Sequence, residues 1–89
     1  MTKPNADSFR LALLSEFAKS AKAGMKSITV VSSDLHRYVG GYPGTDHRMP
    51  LCCSVMRKEM TERDEVISQP TKGAGATLTI KYCLPRHQN

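Results

Sequence analysis

Eighty-nine residues suffice for one modest hydrophobic core and not for two, so the chain reads as a single domain. Thirteen Lys and Arg against eight Asp and Glu leave a net charge of +5 and an isoelectric point near 9.4, which favours a polyanionic partner, nucleic acid ahead of a membrane surface. No apolar run approaches the roughly 20 residues of a membrane span, and the absence of Trp with only 6% aromatics argues against the stacking platform of a single-strand binder.

The N-terminus is polar and lacks a signal-peptide core, so the expectation is a cytoplasmic protein whose three cysteines are reduced thiols. Residues 1–7 read as a flexible tail. Asp7 or Ser8 can cap a helix over 8–23, in which Phe9, Leu13, Phe17 and Ala21 fall every four residues with Leu14 and Ala18 beside them. Arg10, Glu16, Lys19 and Lys22 take the other side, and Gly24 supplies a left-handed stop. This helix is scaffold.

Ser27-Ile28-Thr29-Val30-Val31 alternates and is β-branched, which predicts a strand over 27–31. Ser32 or Ser33 then caps a helix over 33–39, with Asp34 in the first turn and Leu35, Tyr38 and Val39 on its inner face. Gly40, Gly41, Pro43 and Gly44 end it. A third helix is predicted over 49–60, with Pro50 in the first turn, where no N–H is required. Cys52, Val55, Met56 and Met60 form its inward stripe; Ser54, Arg57 and Lys58 lie opposite, with Leu51 and Cys53 at the edges. Glu62, Asp64 and Glu65 fall at a turn, where exposure to solvent is expected. Strands follow over 65–69 and 77–84, with Leu78, Ile80 and Tyr82 on one face and Thr77, Thr79 and Lys81 on the other. The connection 70–76 is glycine-rich with one lysine, Lys72, and 85–89 reads as a second flexible tail.

The helix over 49–60 is the candidate DNA-reading element. A major groove admits a helix, and Arg48, Ser54, Arg57 and Lys58 can reach base edges or phosphates from one side of it; a plain solvated basic face is the alternative. Lys72 on a tip of small residues can approach the phosphate backbone, or the tip is an ordinary glycine turn. Tyr42 and His47, in the glycine-containing segment before the helix, are assigned to a DNA phosphate; the segment lacks the Gly-Lys-Ser/Thr of a nucleotide-binding loop. His36, His47, Cys52, Cys53 and Cys83 have no zinc spacing. No metal, cofactor or catalytic group is expected, and the chain does not read as an enzyme.

The order helix, strand, helix, helix, strand, tip, strand over 8–84 resembles the winged helix-turn-helix superfamily. The resemblance implies an α+β domain of three helices and a small antiparallel sheet with one β-hairpin wing. It implies a double-stranded DNA-binding protein, a small transcriptional regulator or an accessory of a DNA-processing system, with 49–60 as recognition helix and 71–76 as wing. One such module covers limited surface, so tight specific binding calls for a homodimer or a fused or associated partner protein. Some winged helices bind only proteins, so an adaptor within a nucleic-acid machine is the alternative.

Overall fold

The computed structural model describes residues 4–40, 48–70 and 75–86. Asn5 caps the first helix, α1 (Ala6–Lys22): its Oδ1 accepts the Ser8 backbone N–H at 2.9 Å, and the Ser8 hydroxyl accepts the Asn5 N–H at 3.4 Å. The helix therefore starts two residues before the expected position. Ser8 is the third residue of a capping box rather than the cap, and Asp7 lies inside the helix. Phe9, Ala12, Leu13, Phe17 and Ser20 form the buried stripe, and Gly24 sits at φ +85°, the left-handed stop expected of it.

Strand β1 (Ser27–Val31) passes directly into α2 (Ser32–Val39). The expected serine cap does not form: Val31 occupies the cap position without a side-chain bond, and Ser32 lies within the first turn. The Ser32 hydroxyl instead donates to the part-buried Gly75 carbonyl at 2.6 Å. The inner face of α2 also differs from expectation. Leu35 and His36 are buried, whereas Tyr38 is 60% exposed.

Helix α3 (Met49–Lys58) is two residues shorter than predicted and carries Pro50 in its first turn, as expected. It buries Met49, Cys52, Cys53, Val55 and Met56. Cys53, placed at the edge by the sequence pattern, is 1% exposed and lies wholly inside, because the hairpin base folds over that edge. The three helices pack on one another, and α1 and α2 also meet β1.

Strands β2 (Glu65–Ser68) and β3 (Thr79–Cys83) complete an antiparallel sheet of order β1-β3-β2. Both are shorter than predicted, and a bulge between Val66 and Ser68 interrupts the β2–β3 pairing. Leu78, Ile80 and Tyr82 point into the core, together with Phe9, Leu13, Phe17, Leu35, Val55 and Met56. This is an α+β fold of three helices over a three-stranded antiparallel sheet. Tyr82 stacks at 4.7 Å against Phe17 and donates its hydroxyl to the Met56 carbonyl at 2.8 Å, so its one polar atom is satisfied inside the core.

Two expectations at the C-terminal side do not hold. Asp64 is not solvent-exposed, and Arg86 is not part of a loose tail. Arg86 Nη1 donates to both Asp64 carboxylate oxygens at 2.8 Å, and Nη2 donates to the Glu59 carbonyl at 2.6 Å. Its guanidinium lies 4.8 Å from the Phe17 ring and 5.4 Å from the Tyr82 ring. The Asp64 side chain is fully covered, and its Oδ atoms also accept the N–H groups of Cys83 at 2.8 Å and Thr61 at 2.7 Å. Burial alone would raise this carboxyl, but the two backbone donors and the Arg86 guanidinium hold it below the usual aspartate value.

Candidate nucleic-acid interface

The outer side of α3 is set by what anchors its inner side. At its start, the buried His36 of α2 accepts the Arg48 backbone N–H on Nε2 at 2.7 Å, which requires the ring to be uncharged with its proton on Nδ1. The Phe9 ring meets the same imidazole edge-on at 4.8 Å. The backbone where α3 begins is thereby fixed while the Arg48 side chain stays exposed.

Along the helix, Pro50, Ser54 and Lys58 recur every four residues and are all exposed, opposite the buried Cys52, Cys53, Val55 and Met56. Arg57 differs from its neighbours. It is half-buried and engaged in interactions of its own, so the exposed polar groups of this face are Ser54 and Lys58, with Arg48 at the helix entrance. Tyr42, His47 and Lys72 lie outside the described residues.

The feature that sequence reasoning missed is the coupling of α3 to the hairpin base. The Cys53 thiol donates to the Gly75 carbonyl at 3.3 Å and accepts the Gly75 N–H at 3.4 Å. From the other side, Ser32 Oγ donates to the same carbonyl, and the Ser33 N–H donates to the Ala76 carbonyl at 3.2 Å. Gly75 also packs tightly on Pro70: a Cβ there would come within 3.3 Å of the proline Cβ. Hairpin base, α2 and α3 are therefore one bonded unit. The only sequence signal was the small size of Gly75, which licenses close approach without naming the neighbour.

Cys52 supplies no reactive centre. Burial, reinforced by the adjacent Cys53, pushes the Cys52 thiol up to about 12, so it stays protonated and donates to the Ser32 carbonyl at 3.6 Å. Among the described residues no three His, Cys, Asp or Glu side chains are gathered for a metal ion, and no helix is long and apolar enough to cross a membrane. Comparisons with protein-family models, with curated proteins and with solved structures found no match.

Proposed function

We propose that this chain binds double-stranded DNA through α3, with the β2–β3 hairpin beside it, in the manner of a winged helix-turn-helix. The observation that carries the reading is the exposed face of α3: Arg48, Ser54 and Lys58 lie outward on a helix whose opposite side is wholly buried, in a chain of net charge +5. The element order and the β1-β3-β2 sheet support the winged-helix comparison.

A helix of this width fits a major groove, where Lys58 meets a guanine edge or a phosphate and Ser54 donates to either. Arg48, on a backbone position held by His36, spans to the sugar-phosphate chain at the groove edge. The bonds from Cys53 and Ser32 to Gly75 give the hairpin a fixed orientation relative to α3, so both elements meet the duplex together. A single module covers little DNA, so a second copy or an associated domain is part of the proposal.

A mobility-shift titration of the full chain against random duplexes at 50 and 200 mM salt tests this reading. Two phosphate contacts, from Arg48 and Lys58, predict an affinity about 12-fold lower at the higher salt. Absence of binding at low salt, or equal affinity at both, excludes it.

A further inference from the structure

A second surface lies away from α3, along the outer edge of β1. With sheet order β1-β3-β2, β1 is an edge strand, and no described segment pairs with its outer side. The phase of the ladder is fixed at both ends: the Leu84 N–H donates to the Lys26 carbonyl, and the Ser32 N–H donates to the Leu78 carbonyl. Even-numbered residues of β1 therefore bond inward to β3, and the N–H groups of Ser27, Thr29 and Val31 and the carbonyls of Ser27 and Thr29 point outward.

Edge strands are ordinarily guarded by charge, proline, a bulge or brevity. The opposite edge, β2, has four residues, a bulge and Glu65. β1 has none of these over Ser27–Val31. Beside it runs a groove of about 250 Å³ lined by Ile28, Val30, Leu35 and Tyr38, with Glu16 and Asp34 as its charged residues.

The charges of that groove select its occupant. Asp34 is met at 3.6 Å by Arg37, with both side chains largely exposed, and Lys19 lies over the Tyr38 ring at 5.8 Å. Glu16 is half-buried and has no hydrogen-bond or ion-pair partner among the described residues. Glu16 is therefore the uncompensated charge of the groove, and it favours a cationic group over a phosphate. A second copy paired across the same edge would bring its own Glu16 and Asp34 against these, like charge on like.

We propose that the β1 edge binds an extended peptide by strand addition, with a Lys or Arg of that peptide paired to Glu16 and apolar side chains in the groove. The peptide backbone completes the outward bonds of Ser27, Thr29 and Val31. Its side chains opposite Ile28 and Val30 point toward the helices, since paired residues share a face of the sheet. The surface is separate from α3 and does not depend on DNA binding.

The test uses the full 89-residue chain and a fluorescent heptapeptide, Ser-Val-Thr-Lys-Thr-Val-Ser, whose inward positions are Val, Lys and Val. Saturable binding is expected, with backbone amide shifts concentrated at 27–31. Replacing the peptide Lys by Glu, or making the α1 variant Glu16→Lys, is expected to weaken it by about fivefold or more, and combining the two restores part of the loss. A peptide N-methylated on the edge-facing amides should not bind. Shifts confined to α3, an affinity indifferent to both charge reversals, or a chain that dimerises through 27–31 instead of taking the peptide overturns the proposal.

Discussion

Cys53 and Gly75 exchange two hydrogen bonds across 22 residues of chain, the thiol donating to the carbonyl and accepting from the N–H of the same glycine. That pair joins the middle of α3 to the base of the hairpin, and Ser32 holds the carbonyl from α2. It fixes the orientation of the hairpin base relative to α3, as the proposed joint contact with one duplex requires.

Cys53→Ala removes both bonds and leaves a small void at a buried site. It is expected to cost about 1–3 kcal/mol of stability by urea denaturation. Hydrogen exchange should accelerate most at the amides of Gly75, Ser33 and Leu78, whose bonds involve the hairpin base. Uniform protection in the variant would show that Ser32 alone is sufficient to hold it.

The Asp64–Arg86 pair yields the largest predicted stability effects. Arg86→Met strands a covered carboxylate and is expected to cost about 3–5 kcal/mol. The pH dependence has a definite sign. Because the Asp64 carboxyl is held below its ordinary value of 3.8, its contribution is complete at neutral pH and is lost as pH falls through the lowered value. The stability gap between the wild type and Asp64→Asn should be widest near pH 7 and shrink in acid below about 3.8. A gap that widens in acid contradicts the assignment.

Much of the scaffold was legible because it is local. The four-residue spacing from Phe9 to Phe17 and the alternation of Leu78, Ile80 and Tyr82 each encode a face, and those faces are the ones buried. The roles of Ser32, His36 and Arg86 are not legible in the sequence, for the opposite reason. Their partners are Gly75, Arg48 and Asp64, and a bond spanning 43 residues, as from Ser32 to Gly75, leaves no periodic trace. Helical phase puts Tyr38 on the inner face with Leu35 and Val39, whereas His36 is the residue that the packing of Phe9 and the Arg48 backbone encloses. Of the candidate interface, Ser54 and Lys58 were readable from helical phase; the engagement of Arg57 was not, since it depends on tertiary neighbours.

Thiol reactivity separates the three cysteines. Cys52 and Cys53 are enclosed, and Cys83 is half-exposed with its thiol donating to the Arg63 carbonyl at 2.9 Å. At pH 8 the native chain should react with an aromatic disulfide reagent at one thiol per molecule, Cys83, and at three after unfolding in guanidinium. Rapid modification of Cys52 in the native state contradicts the packing described for α3.

Removal of the Lys58 side-chain charge should leave the fold intact. Lys58 is exposed and lies on the side of α3 away from the core, so Lys58→Ala is expected to change stability by less than about 0.5 kcal/mol. If Lys58 reads a guanine edge, the variant loses about 1–3 kcal/mol on the best site and discriminates less there; a phosphate contact lowers affinity for all duplexes alike.

The salt dependence of duplex binding in Arg48→Ala/Lys58→Ala tests the central claim most directly. Fluorescence anisotropy of one duplex, titrated with wild type and double variant at several salt concentrations, gives the two slopes of log K against log salt. If both cations lie on phosphates, the double variant has a slope smaller in magnitude by about 1.8, with an unchanged melting temperature. Identical slopes and affinities in the two proteins would take the DNA-binding surface off α3.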